Sequence, residues 1–320
     1  MNDADDAERY PFRWALADRA IALKERLPRH VYQNPPPWMG YLLLAPAVAL
    51  VGVLFVGLLL LGAYSVLTFD AIEYVVYELT AANWQAVLTT GAYHQIFLRT
   101  FVLATIVTVV SVALGLPYAY LTIRTRSPLV RKVLLVSIFV PFFTGVIVRA
   151  YGWLIVLGRN GVVNAALGLF GVGPVRFLAT DFAVLVGLLQ IMLPYAIIMI
   201  APAVQDIDRS LELAASNLGA DRIQTFRHVV VPLAMPGIAG ASVVVFTITA
   251  ATFAIPDLIG GGRVDFVANL VYRTMFNSSN LPRAAAVSIL LVAVASAVVF
   301  SIFRTVGVGT IGFQGGDNDE

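Results

Sequence analysis

Residues 205–236 read QDIDRSLELAASNLGADRIQTFRHVVVPLAMP and lie between two apolar runs, Phe182–Val204 and Gly237–Ile259. Asp208 is placed to cap a helix by accepting an amide hydrogen bond. Gly219 is placed to close it in the left-handed conformation, which costs other residues roughly 1–2 kcal/mol. Between them Leu211, Ala214, Ala215 and Leu218 fall at i, i+3, i+4 and i+7 and form a small, flat apolar stripe. Arg209, Glu212 and Ser216 form the opposite, polar edge. Asp221 and Gln224 then have capping-box spacing, and Ile223, Phe226 and Val230 share a face of a second helix. Pro232 and Pro236 are expected to end that helix. An isolated helix of about 10 residues is marginal in water, so the first helix needs a seat. Two seats stay open: the ends of this chain's own apolar segments, or a groove on another protein.

Working outward, the chain has 320 residues, of which 59% are hydrophobic and 12% charged. Ordinary soluble domains carry about 25% charged residues. Mean hydropathy is +0.84. This excludes a typical cytosolic enzyme, a disordered protein and a nucleic-acid binder. The net charge of +2 provides no global field for polyanions. The chain lacks cysteine, and His30, His94 and His228 are too far apart in sequence for metal-ligand spacing.

A membrane-spanning helix needs about 20 mostly apolar residues. Six segments qualify: Tyr41–Phe69, Phe97–Ile123, Val133–Leu157, Phe182–Val204, Gly237–Ile259 and Ala284–Phe303. The expected fold is an all-α membrane protein with six transmembrane helices. With both termini cytosolic, fourteen Lys and Arg residues flank the spans inside, against six outside. The inside group includes six in the leader (Arg9 to Arg29) and Arg124, Arg126, Arg131 and Lys132. The expected organisation is a leader (1–40), a first span and outer loop (41–96), a five-span core (97–304) containing loop 205–236, and a tail (305–320). Within the leader, Phe12, Leu16, Ala20, Leu23 and Leu27 share one helical face. They suit a helix lying along the inner membrane surface or a solvated tail. The acidic ends, 1–8 and 317–320, read as disordered.

Several motifs fail on context. Gly307–Gly312 matches G-x-G-x-x-G, but an apolar span precedes it where a strand is required. Gly260-Gly261-Gly262 is followed by no Lys-Ser or Lys-Thr, and the chain contains no Gly-Lys pair. Neither H-E-x-x-H nor G-x-S-x-G occurs, so no catalytic residues, cofactor or metal site are expected in this chain.

Within the spans, Arg149 and Asp257 are the costly charges. Each costs about 2.5–3.5 kcal/mol at the bilayer centre on insertion scales. Arg149 follows Lys132 by about 25 Å of continuous helix, which places it in the outer third. Asp257, late in the fifth span, is expected at the outer mouth. Arg149 either pairs with a carboxylate or snorkels, or it lines a vestibule with Tyr151 and Trp153. Gln190 on the fourth span and Thr249, Thr252 and Phe253 on the fifth form a candidate polar and aromatic lining for an amine. The alternative is threonine hydroxyls satisfied by their own backbone.

The loop resembles the E-A-A-x-x-x-G-x(9)-I-x-L-P signature of permease subunits in binding-protein-dependent ABC importers. Ala214, Ala215, Gly219 and Pro232 match it, and Val229 and Val231 replace Ile and Leu conservatively. Leu213 occupies the Glu position, and Glu212 stands one residue early. The stretches Tyr41–Pro46, Val148–Trp153, Leu157–Asn164 and Pro256–Gly262 are similar to the spermidine/putrescine permease subgroup. The resemblance implies a type I importer bundle in the bacterial inner membrane, with Arg209–Leu218 as the coupling helix. It also implies an ABC ATPase dimer that binds ATP and Mg, a second permease subunit, and a periplasmic solute-binding protein. A polyamine is the first cargo implied, with opine-like amines, iron or sulfate as alternatives. An ATPase-independent secondary transporter is the rival class, which calls for an internal repeat and intramembrane ion ligands.

Overall fold

A computed structural model of the chain describes the backbone of residues 37–306 and the side chains of residues 40–304. The leader helix, the acidic ends and the glycine motif at 307–312 lie outside the described residues. The chain divides into compact units of residues 1–60 and 61–320. Helix α1, Pro37–Ser65, begins in the first unit; its window from Gly40 has a hydropathy of 2.7, suited to lipid. An antiparallel ribbon follows, β1 (Leu67–Thr68) with β2 (Val76–Leu79), in a loop for which the sequence suggested no strand. Buried Asn83, at the start of α2 (Ala82–Thr89), donates to the carbonyls of Ser65 (3.2 Å) and Leu67 (2.8 Å) and holds the ribbon's base.

The core of the second unit is three helices: α3 (Gly91–Arg124), α7 (Asp181–Gln205) and α10 (Met235–Ala250). Lipid tails are as apolar as leucine, so close packing between small residues has to hold such helices together. A Cβ added to Gly115 on α3 would meet that of Ala196 on α7 at 3.2 Å. A Cβ added to Gly237 on α10 would lie only 2.5 Å from that of Ala203 and 3.4 Å from the Ile200 Cα, both on α7. One buried cluster surrounds the first half of α7, around Leu188, Ile255, Ile259 and Phe266. A second surrounds its last turns, with Ile200 and Val204 against Leu116, Ile138 and Val230.

Among the described residues four helices are long and apolar enough to span, or six if two bent pairs each count once. The expected third span is broken. Helix α4 (Pro128–Phe143) turns by 102° into α5 (Val146–Val156) across Thr144 and Gly145, and the short α6 (Val162–Leu169) follows. Arg149 is therefore not about 25 Å of continuous helix beyond Lys132. The expected fifth span is also too long. Helix α10 stops at Ala250, and Asp257 belongs to a separate short helix, α11 (Ala254–Gly260). Broken backbone at membrane depth survives where protein satisfies it. Here buried Asn269, on α12 (Val267–Tyr272), donates to the Phe253 carbonyl at 3.2 Å and accepts from the Phe266 amide at 3.1 Å. The last helix is α13, Leu281–Val306.

Gly237→Ala should destabilise the bundle by about 1–3 kcal/mol, because the added carbon has nowhere to go. Gly240→Ala, whose Cβ would meet only the Met199 Cε at 3.8 Å, should not destabilise it. Equilibrium unfolding of the two variants in detergent measures the difference.

Candidate functional site

The loop after α7 folds as its local signals indicate. Helix α8 spans Arg209–Asn217, and the Asp208 carboxylate accepts from the Ser210 amide at 2.8 Å. This bond holds the Asp208 carboxyl below its ordinary pKa. Gly219 has φ +90°. Its amide donates to the Ser216 carbonyl, and the Ala220 amide donates to the Ala215 carbonyl, both at 3.0 Å. These two bonds form a Schellman C-cap and satisfy carbonyls that the helix end would leave bare. Asp221 and Gln224 bond reciprocally as a capping box at the start of α9 (Arg222–Leu233).

Helix α9 ends at Leu233, between Pro232 and Pro236, and Pro236 lies in the first turn of α10. Before Pro232 a π turn runs over Phe226–Val230, closed by the Val231 amide on the Phe226 carbonyl, and α9 meets α10 at a 70° bend next to Ala234. The expected partners on α9 do not share one environment. Val230 is buried and Phe226 half-buried, while Ile223 is 77% exposed.

The expected stripe on α8 is largely unburied by this chain. Leu211, Ala214 and Leu218 are exposed, and Ala215 is half-buried. Leu213, at the position where the signature has Glu, is exposed too. Arg209 and Pro232 are exposed.

Glu212 lies on the expected polar edge, opposite the exposed stripe, and at this residue that edge faces the protein's own helices. Its side chain is only 13% exposed, because it turns inward to the end of α3. There it pairs with Arg124 Nε at 2.7 Å and accepts from the Tyr120 hydroxyl at 2.7 Å. Arg124 also donates to the Ile207 carbonyl at 2.7 Å, and the Tyr120 ring meets Phe226 edge-on at 5.3 Å. Tyr120 had no individual signal, and Arg124 had only that of a basic residue flanking a span on the inside. Tyr120 and Glu212 also line a polar cleft of about 450 Å³, together with Arg126, Arg209, Asp221 and Arg222.

Of the intramembrane candidates, the structure brings three together. Arg149, Trp153 and Gln190 line a cleft of about 280 Å³ between α5 and α7, with Gly152 and Val156. Among the described residues Arg149 has no carboxylate partner, and its Nε and the Gln190 Oε1 lack hydrogen-bond partners. Tyr151, exposed on α5, does not line this cleft. Thr249 is fully buried with its hydroxyl unpartnered, against the expectation of backbone satisfaction. Thr252 and Phe253 are half-buried at the break after α10, and Tyr272 lies against the Phe253 ring with centroids 4.9 Å apart. Asp257 is exposed on α11.

Because the folded-state pKa of Asp208 is depressed, its cap is complete at neutral pH. The cap is lost as acid carries the pH down through that lowered value. Amide-exchange protection over 211–217, normalised for intrinsic rates, should fall with acidification. Asp208→Asn, an equally good cap without a titrating group, should remove that dependence.

Three comparisons with known proteins bear on this geometry. Residues 111–307 match the family described as binding-protein-dependent transport system inner membrane component. The spermidine/putrescine transport system permease protein PotB of Haemophilus influenzae is 32% identical over 248 residues, covering 77% of this chain and 86% of the relative. The inner membrane ABC transporter permease protein YdcU of Escherichia coli is 34% identical over 288 residues, covering 84% and 90%. A chain from a bacterial ABC transporter involved in the import of the acidic polysaccharide alginate superposes with a TM-score of 0.71 at 18% identity, covering 87% of this chain and 97% of that one. The exposed, doubly capped helix on a bundle of inner-membrane spans thus has a family to match: the chain belongs to the binding-protein-dependent inner membrane components, the permease subunits of ABC importers.

Proposed function

We propose that this permease subunit moves a polyamine from periplasm to cytoplasm, driven by ATP hydrolysis on separate subunits. The observation that carries the reading is α8: a capped helix whose Leu211, Leu213 and Leu218 side chains remain exposed. Such a face needs an apolar groove, and an ABC ATPase supplies it. In this reading an ATPase dimer carries ATP and Mg, and a second permease subunit, a different chain, completes the pathway. A periplasmic binding protein delivers the solute. The two bent pairs each count as one span, giving six spans with both termini cytosolic. Relatives named for spermidine and putrescine transport support the polyamine cargo.

Physically the subunit is a two-state element biased by its partner. Closure of the ATPases displaces α8, and α9 carries the displacement through the 70° bend into α10. Arg209, Ala214, Ala215 and Gly219 set the shape of the docked surface, and Pro232 fixes the turn into the bend. The cleft of Arg149, Trp153 and Gln190 is the part of the solute path assigned to α5 and α7. Thr249, Thr252, Phe253, Tyr151 and Asp257 belong to its surroundings.

Arg149 favours a second cargo reading. An unpaired guanidinium repels a dication and attracts a carboxylate, so an opine-like amine bearing a carboxylate fits that cleft better than a bare polyamine. Competition between labelled putrescine and an amino-carboxylate, with uptake measured in whole cells, separates the two cargoes.

Ala215→Glu and Gly219→Val should each abolish uptake while the subunit still inserts. The first places a charge on the docking face, and the second forces a β-branched residue to φ +90°. Uptake assays alongside membrane-fraction blots measure both effects. Normal uptake by Ala215→Glu would remove the basis for docking through α8.

A further inference from the structure

We propose that Glu212, Arg124 and Tyr120 form a rigid joint that transmits the movement of α8 into α3. This inference rests on the reading of α8 as the coupling helix. It goes beyond that reading by assigning a second route for the motion and three positioning residues to it.

The route through α9 alone is mechanically weak. Helix α9 contains a π turn and ends in a 70° bend, and both sites can flex when pushed. The contact between α8 and α3 is of another kind. Glu212 and Arg124 are 13% and 15% exposed, so their charges meet largely out of water. Each has a second tie. Tyr120 holds the Glu212 carboxylate at 2.7 Å, and Arg124 reaches the Ile207 carbonyl at 2.7 Å, just before the Asp208 cap. The joint therefore grips α8 from within its first turns and from the segment that enters it. Tyr120 also abuts Phe226 edge-on, so α9 is braced against the same point.

A desolvated, doubly tied ion pair has few alternative geometries, because separating its members strands a charge in a poorly hydrated site. It transmits displacement instead of absorbing it. Helix α3 is well placed to receive the motion. It stays helical over 34 residues, through Pro117, and packs closely against α7 at Gly115 and Ala196, just before that proline. This also accounts for the sequence departure at the signature. With Glu212 committed inward one residue early, the Glu position itself is left to Leu213, which is exposed and free to contact the partner.

The test uses the complete importer with its own ATPase and binding protein, reconstituted in proteoliposomes. Solute imported and ATP hydrolysed are read in the same vesicles. Glu212→Gln should lower the solute imported per ATP at least fivefold while binding-protein-stimulated hydrolysis persists. Tyr120→Phe should lower it about twofold. The double variant Arg124→Met with Glu212→Met replaces the pair by apolar groups and leaves no stranded charge, so it should assemble and melt like the parent yet remain uncoupled.

The chain lacks cysteine, so spin labels at Arg126→Cys and Asn217→Cys report one distance across the joint. That distance should stay constant between nucleotide-free and ATP-bound states in the parent. It should spread in the double variant. An unchanged ratio of solute to ATP in the double variant would overturn the proposal, as would uptake and hydrolysis falling in proportion. A wild-type complex whose hydrolysis ignores the binding protein, or whose α8 never cross-links to the ATPase, would overturn the coupling-helix reading beneath it.

Discussion

Helices in a bilayer gain little from apolarity when they meet, so this molecule depends on how closely α3, α7 and α10 approach. Gly115 against Ala196 and Gly237 against Ala203 set those distances. The close contacts do more than hold the bundle. They give it few small adjustments, so a push at one end is resolved by moving helices as bodies. A permease moved from outside needs this property.

The polar features occur where that packing is interrupted. Two expected spans break, at Thr144–Gly145 and after Ala250, and polar side chains gather near each break. Asn269 satisfies the backbone released after α10. Arg149 and Gln190 sit on the elements facing the first break and keep unpartnered atoms. In the loop after α7 the polar groups meet one another, in caps, in the Arg124–Glu212 ion pair and in the Tyr120–Glu212 hydrogen bond. The loop after α7 is thus held by mutual contacts, while the cleft of Arg149, Trp153 and Gln190 keeps polar atoms without partners.

Sequence legibility followed the range of the interactions. The Asp208 cap, the Gly219 turn and the Asp221–Gln224 box each lie within a few residues, so spacing alone revealed them. Apolar windows revealed where the spans are but ran through both breaks, because hydropathy averages over Thr144-Gly145, for which Pro141 was the one local sign of a kink, and over Ala251–Phe253 within Gly237–Ile259. The orientation of Glu212 was illegible for another reason. Its partners Tyr120 and Arg124 are contributed by a different helix, Tyr120 from 92 residues away. A helical wheel of α8 therefore placed the carboxylate on the edge opposite the stripe and named no partner for it. The coincidence of Arg149 with Gln190 arose from a fold-back that no periodicity encodes.

The central claim is that the mover of this subunit lies on another polypeptide. The most direct measurement is solute accumulation in proteoliposomes containing the permease pair, with and without the ATPase and internal ATP, at zero ion gradient. The account predicts accumulation only when the ATPase and ATP are both present. Accumulation without the ATPase, driven by an imposed proton or sodium gradient, would contradict it.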